Sequence, residues 1–350
     1  MDRPKRIFLE TAKLKNLNSG LGQFCLQLGG EISRLNTDFD LTFFVPPSQE
    51  FVFGREHKYV IYNNWRRIVG ISAEADLWHC FYQGTPYWPK NDRTKVVLTI
   101  HDLNFIYKYS GWKLKGELNK LQRQVTLAHS IVTISEYTKA ETLRHLKVDE
   151  KKISVIYNGL SKASGEGVKP AVVPDSKFFF SLGIITSKKN FHVLIPFLKE
   201  SNKILVIAGD KESDYARQII SQAKTLGVSE QVILTGVVSE DEKNWLYRNC
   251  EAFLFPSIAE GFGLPVIEAM SYGKPVFCSN LTSLPEIGGP HAYYFSSFDP
   301  HYMADVVKKG MDEYYSNPQK EVEIKKWASR FSWEGAAKDY LKIYNSLLRD

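Results

Sequence analysis

Ala252-Phe-Leu-Phe255, Pro256-Ser257-Ile-Ala-Glu260-Gly261-Phe262-Gly263 and Leu264-Pro265-Val-Ile-Glu268-Ala-Met-Ser-Tyr272-Gly273-Lys-Pro275 read as a strand, a glycine-bearing loop and a helix. Four apolar residues bounded by a proline suit a buried strand. Pro265 fits the first turn of a helix, where its fixed φ is already helical and its missing N–H removes no bond. Gly273 ends that helix in a left-handed cap and Pro275 keeps it from resuming, so a helix is expected over Pro265–Tyr272. The helix N-terminus carries unpaired N–H groups and partial positive charge, and Gly261 and Gly263 let a ligand approach the backbone, an arrangement that binds phosphate or sugar hydroxyls. Glu260 before the turn and Glu268 in the first helical turn are expected to border one pocket and accept hydrogen bonds from vicinal hydroxyls. The plainer reading is that acidic residues near a helix start only complement its dipole.

Outward from this stretch, short apolar runs alternate with amphipathic segments of helical length, the pattern of a parallel α/β architecture. Strands are expected at Arg6–Leu9, Leu41–Val45, Leu77–Phe81, Val96–Ile100, Ser130–Ile134 and Ile153–Tyr157, then at Phe178–Leu182, Ile204–Ala208, Val232–Thr235, Ala252–Phe255 and Val276–Cys278. Between the two sets, Ser161–Asp175 has Gly, Pro and charge without periodicity and reads as a linker. The expected organisation is a first Rossmann-like domain of residues 1–160, joined by the last helix at 331–350, and a second of residues 176–330, with a cleft between them. Ligands of such sheets lie beyond the carboxyl ends of the strands.

Composition narrows the functions. With 43% hydrophobic and 24% charged residues and 21 Phe, 18 Tyr and 7 Trp, the 350-residue chain is globular and not disordered. No apolar run reaches the roughly 20 residues of a membrane span, and the N-terminus opens on a strand pattern, so a cytoplasmic protein is expected. The four cysteines are scattered among apolar residues and read as reduced thiols. A net charge of +6 suits an anionic ligand or membrane surface and falls short of a nucleic-acid binder.

Ser257-Ile-Ala-Glu260-Gly-Phe-Gly-Leu-Pro-Val-Ile-Glu268-Ala-Met-Ser-Tyr-Gly273-Lys-Pro-Val276 resembles the signature of glycosyltransferase family 4, retaining enzymes of the GT-B fold, and the resemblance runs over nearly the whole chain. It implies that Glu268 holds the ribose hydroxyls of a nucleotide-sugar donor. Glu260 and the backbone from Gly261 through Phe262, Gly263 and Leu264 would face the transferred sugar and the diphosphate. Ser283-Leu-Pro-Glu286 matches a segment close to the donor. After the strand Phe178–Leu182, Lys188 and Lys189 can neutralise a diphosphate leaving group, although tandem lysines are commonly solvated surface. Similar family members carry Arg then Lys here, so Lys188 keeps the charge and loses the bidentate fork. Thr235-Gly236-Val237-Val238 resembles the loop that touches the base, with an ordinary turn as the alternative.

In the first half, Asn18-Ser19-Gly20-Leu21-Gly22 opens a helix, and the resemblance implies that Gly20 reaches the donor phosphates. A dinucleotide fingerprint fails because Cys25 replaces its third glycine. His101, in Thr99-Ile-His101-Asp102, resembles a segment of mannose-transferring members and is expected to donate a hydrogen bond to a sugar hydroxyl or to developing charge. A lone strand-end histidine is otherwise structural. Asp38-Phe39-Asp40 is a turn and not a metal-binding pair, and no metal or other cofactor is expected. Residues 105–124 interleave Tyr107, Tyr109 and Trp112 with lysines. Contact with an anionic membrane is one reading of them, and a solvated helix with core-facing aromatics is the other.

These observations point to transfer of a hexose, with mannose from GDP-mannose favoured, to a glycan or lipid-linked saccharide. An epimerase or phosphorylase of the same shape, or a non-catalytic nucleotide- or glycan-binding protein, are the alternatives.

Overall fold

The computed structural model describes residues 3–63, 71, 73–161 and 165–349. They fall into two units, Met1–Gly159 with Phe331–Asp350, and Leu160–Arg330.

Among the described residues of unit 1, seven parallel strands, β1 (Lys5–Glu10), β2 (Phe39–Val45), β3 (Lys58–Ile61), β4 (Leu77–Cys80), β5 (Lys95–Ile100), β6 (Ser130–Thr133) and β7 (Ile153–Val155), stand in the order β3-β2-β1-β4-β5-β6-β7. The central strands are apolar on both faces because helices cover both, and β4 is buried along its whole length. Phe8 stacks on Trp78 with ring centroids 3.8 Å apart. Fully burying side chains of this size contributes about 2 kcal/mol each. The last helix, Trp333–Leu348, packs against Gly20–Leu35 and pins itself to the sheet by polar groups. Tyr344 Oη lies 2.5 Å from His79 Nδ1, and Thr99 Oγ1 lies 2.8 Å from His79 Nε2 and 2.9 Å from Tyr340 Oη. Burial holds His79 well below the usual histidine range, so this network works with a neutral ring.

Unit 2 repeats the plan with β8 (Phe178–Leu182), β9 (Ile204–Ala208), β10 (Val232–Gly236), β11 (Ala252–Phe255), β12 (Val276–Ser279) and β13 (Tyr293–Phe295), in the order β10-β9-β8-β11-β12-β13. Both sheets reverse direction of growth once, between β1 and β4 in unit 1 and between β8 and β11 in unit 2. At such a switch point the loops leaving two neighbouring strands diverge and open a crevice.

One expectation is corrected. The stretch Ser161–Asp175, expected to be a linker, packs onto unit 2 from residue 165 onward, while residues 162–164 lie outside the described residues. Val168 donates its N–H to the Asp241 carbonyl (3.1 Å), Arg248 donates to the Gly165 carbonyl (2.9 Å), and Val173 is buried. Its glycines and prolines shape a path along the helix Glu240–Asn249 and do not make a flexible tether.

Candidate functional site

The switch point of unit 2 is formed by the loops after β8 and β11. After β8 the chain makes a turn of 3-10 helix over Ser187–Lys189 and leaves it through Asn190 in the left-handed conformation, φ 59°. This turn separates the two lysines. Lys189 points inward, buried, with Nζ 4.7 Å above the Phe255 ring and 2.6 Å from Glu260 Oε1. Lys188 is exposed, and its ammonium makes no contact ion pair among the described residues, although its charge acts on Glu260. Its carbonyl accepts the Ile258 N–H (2.9 Å), which ties the β11 loop to the β8 loop, and lies 3.1 Å from Ser257 Oγ.

Glu260 is the centre of this arrangement. Its Oε1 also lies 2.5 Å from Ser257 Oγ, its N–H donates to Thr282 Oγ1 (3.1 Å), and its carbonyl accepts from Ser283 Oγ (3.0 Å). Burial pushes the carboxyl up, yet the charges of Lys189 and Lys188 and the bonds from Lys189 and Ser257 outweigh it and hold Glu260 below the usual carboxylate range. The site therefore keeps a desolvated, fixed anion in contact with one cation and within the field of a second, exposed one.

Gly263 turns the loop into the following helix. Its φ of 116° is one that side chains rarely adopt, and a Cβ there would meet Leu284 Cδ2 at 2.7 Å. The helix runs Leu264–Ser271, with Pro265 in its first turn, while Phe262 is buried with its carbonyl 2.7 Å from Ser283 Oγ. Glu268 is thus beyond the first turn and not in it, and its carboxylate has its own partners: Lys243 Nζ at 3.2 Å from Oε1 and Tyr247 Oη at 2.8 Å from Oε2. Glu260 and Glu268 share no hydrogen-bond partner among the described residues. Lys243 and Tyr247 lie on one face of Glu240–Asn249, and sequence reasoning missed both. Their i, i+4 spacing marks a common face, but nothing in the sequence points that face at Glu268. Burial and then the Glu268 charge push the Tyr247 phenol far up, so it stays a donor. Gly236, φ 85°, closes β10, and its carbonyl accepts the Gly209 N–H (3.0 Å). Beyond it Val237 is exposed and Val238 half-buried.

In unit 1, Gly20 is the first residue of the helix Gly20–Leu35, capped by Ser19 Oγ accepting from the Gly22 N–H at 3.1 Å. The space around Gly20 is open. At Gly22 a Cβ would lie 2.0 Å from the Asn16 carbonyl oxygen, so Gly22 is the glycine the turn requires. His101 is buried against Phe24, with ring centroids 4.5 Å apart. Its Nε2 donates to the Phe81 carbonyl (2.8 Å), and burial pushes its pKa down to about 4. At neutral pH the remaining nitrogen, Nδ1, is an acceptor. The expected donor role is corrected on that ground: this tautomer accepts from a hydroxyl. Among the described residues, no group of three or more His, Cys, Asp or Glu side chains is placed to hold a metal ion, and no helix is long and apolar enough to cross a membrane.

Two doubly wound parallel sheets, the second with a buried Lys–Glu pair at its switch point, define a class of α/β proteins whose ligands lie beyond the carboxyl ends of the strands. Within that class the family model for glycosyl transferases group 1 matches residues 168–330, and the model for Glycosyltransferase Family 4 matches residues 29–163. The chain belongs to this glycosyltransferase family. The serotype-specific mannosyltransferase WbdA of Escherichia coli is 28% identical over 281 residues, covering 73% of this chain and 34% of that protein. The O-antigen chain mannosyltransferase RfbU of Salmonella typhimurium is 28% identical over 216 residues, covering 61% of this chain and 60% of RfbU. The chain thus spans about a third of the length of WbdA and less than two thirds of RfbU. The structure of Anabaena Alr3699/HepE in complex with UDP and glucose aligns over 98% of this chain and all of that one, with a TM-score of 0.72 at 15% identity. WaaG, a glycosyltransferase involved in lipopolysaccharide biosynthesis, aligns over 97% of this chain and 99% of its own, with a TM-score of 0.70 at 12% identity. The fold is that of the GT-B glycosyltransferases.

Proposed function

We propose that the chain transfers a hexose, mannose, from a nucleoside diphosphate sugar, GDP-mannose, to a hydroxyl of a glycan or lipid-linked saccharide, with retention at the anomeric carbon. The observation that carries this reading is the buried Lys189–Glu260 pair with the exposed Lys188 ammonium acting on the same carboxylate. The names of WbdA and RfbU support mannose as the sugar.

In this mechanism Glu268, held by Lys243 and Tyr247, accepts hydrogen bonds from the ribose hydroxyls, and the loop carrying Gly236 and Val238 lies against the base. The bond from the anomeric carbon to the diphosphate breaks with its electron pair going to the phosphate oxygen. Lys188 and the N-terminal amides of Leu264–Ser271 meet that charge, with no metal or other cofactor. Lys189, engaged by Glu260, keeps Glu260 ionised beside the oxocarbenium-like sugar. The acceptor oxygen bonds to the same face, and its proton passes to the departing phosphate.

Nucleotide release from a panel of GDP-, UDP- and ADP-sugars, with and without saccharide acceptors, tests the reading. Acceptor-dependent release from GDP-mannose with an α-linked product is expected. An epimerised sugar without acceptor, a requirement for inorganic phosphate, or no release from any donor would replace transfer by epimerisation, phosphorolysis or simple binding. The exposure of Trp112 (80%) and Tyr107 (57%), with Lys108, Lys113 and Lys115 around them, supports peripheral contact with the cytoplasmic face of an anionic membrane as part of the same function.

A further inference from the structure

The sheet of unit 1 has a switch point of its own, and a pocket of about 240 Å³ lies there. Ala12, Lys13 and Lys15 line it from the segment leaving β1, Tyr82, Gly84, Pro86 and Tyr87 from the segment leaving β4, and Tyr62 from the end of β3. The volume lies below the roughly 300–1,000 Å³ of drug-sized sites and suits a single sugar residue. Tyrosine dominates the wall: Tyr87 packs edge-on against Phe44 at 4.7 Å, and Tyr62 edge-on against Tyr87 at 6.3 Å. Tyr87 is itself buried, and the partly exposed Tyr62 and Tyr82 are the rings that offer apolar surface for the C–H side of a pyranose.

The charge of this pocket is one-sided. Lys13 and Lys15 have no acidic partner within ion-pair distance among the described residues, and the Lys13 ammonium rests only on the face of Tyr82, 4.1 Å from the ring centroid. Partial burial and then the charge of Lys15 lower the Lys13 pKa, against the opposing pull of Glu10, which marks two cations held close to each other. Glu10 is fully buried at the end of β1, its Oε1 accepts the Ala12 N–H (3.2 Å), and burial pushes its pKa up to about 8, so it is mostly protonated at neutral pH. Two neighbouring ammonium groups that make no ion-pair contact among the described residues, beside an aromatic wall, fit a ligand with both a sugar ring and an anion.

We propose that the unit 1 pocket binds an anionic sugar residue, its ring on a tyrosine face and its carboxylate or phosphate between Lys13 and Lys15, and that this residue is the saccharide to which the hexose is transferred. The second half of that statement rests on the proposed transfer reaction, and the first half does not. The test is therefore a binding measurement. Saturation-transfer NMR on the full chain follows methyl glucoside, glucuronic acid, glucose 1-phosphate and inorganic phosphate, for the native protein and for Lys13→Gln/Lys15→Gln, Lys15→Gln and Lys188→Gln variants. At least one of the two charged sugars is expected to bind about tenfold more tightly than the neutral one, a difference equivalent to about 1.4 kcal/mol. That preference should vanish in the double variant, weaken in Lys15→Gln, whose exposed side chain the fold does not need, and persist in Lys188→Gln. Preference for glucuronic acid alone identifies a carboxylate sugar, and preference for glucose 1-phosphate alone a sugar phosphate. Equal binding of neutral and charged sugars, no sugar binding, inorganic phosphate binding as tightly as the sugar phosphate with no preference for glucuronic acid, or loss of the preference in Lys188→Gln would each overturn the proposal. None of these readouts needs turnover, so failure of the transfer reaction would leave the site itself standing.

Discussion

Glu10 makes the stability of unit 1 depend on pH in a calculable way. The residue is fully buried, its Oε2 makes no hydrogen bond, and burial pushes its pKa up to about 8 from a reference of 4.5, against the lowering pull of the Ala12 amide, Thr85 and Lys13. A carboxyl whose folded pKa lies above its unfolded one binds its proton more tightly when folded. Its contribution to stability is then complete below the unfolded pKa and disappears as pH rises through the folded one. Over the full span the effect amounts to about 5 kcal/mol, and between pH 7 and pH 9 to about 1 kcal/mol. The perturbation is Glu10→Gln, which keeps the shape and stays neutral at every pH. Urea unfolding of both proteins at pH 7, 8 and 9 isolates the effect, because burial, the larger of the two causes that push up the Cys25 and Cys80 thiols, is the same in both chains and keeps them protonated when folded. The native protein is expected to lose about 1 kcal/mol relative to the variant across this range. The infrared band of a protonated carboxyl should be present at pH 7 in the native protein and absent in the variant. A stability difference that stays flat from pH 7 to pH 9, with no such band, would refute the assignment of a neutral buried Glu10.

Further outcomes follow from the other contacts. Lys189→Met leaves Glu260 buried without its ion-pair partner, which costs about 3–5 kcal/mol and lets burial raise the carboxyl pKa. Nucleotide release by this variant should recover only toward alkaline pH, and a pH profile parallel to the native one would contradict the role given to the pair. Glu268→Ala should mainly raise the Kd for the nucleotide and Glu260→Ala mainly lower kcat; equal losses in both parameters for both variants would undo that division. Gly22→Ala forces a methyl group onto the Asn16 carbonyl and should lower stability by about 2–3 kcal/mol in a denaturation curve, whereas Gly20→Ala, in open space, should change it by less than about 1 kcal/mol. Flotation with anionic liposomes at low salt should carry the native protein upward and leave Trp112→Ala/Lys113→Ala behind; a native protein that stays in the soluble fraction would dismiss the membrane contact.

What could be read before the structure, and what could not, divides along physical lines. Strands buried on both faces announced themselves: β11 is a continuous apolar run, and β5 and β8 are nearly so, because both faces meet helices. Of the four edge strands, β7 and β10 were legible, while β3 and β13 were not. Lys58-Tyr-Val-Ile is only partly buried, and Tyr293-Tyr-Phe is three residues long, so neither carries a two-faced apolar signal. The helix Leu264–Ser271 was legible because proline and glycine act locally on φ and on the N–H inventory. The partners of its acidic residues were not, because they depend on strand order: Lys189 and Glu260 are 71 residues apart and meet only because β8 and β11 are neighbours. The same limit explains the histidine. The sequence shows His101 at a strand end, but the sense of its hydrogen bond is decided by the Phe81 carbonyl, 20 residues away and just past β4, the strand beside β5. It also explains why Lys13 and Lys15 drew no attention, since two lysines near a glycine turn look like solvated surface until β4 brings Tyr82 beneath one of them. In both units, then, local chemistry marks which loops hold reactive residues. The adjacency of β1 with β4 and of β8 with β11 decides which loops face each other, and that adjacency makes a lone lysine on one loop and an aromatic or acidic residue on another into a site.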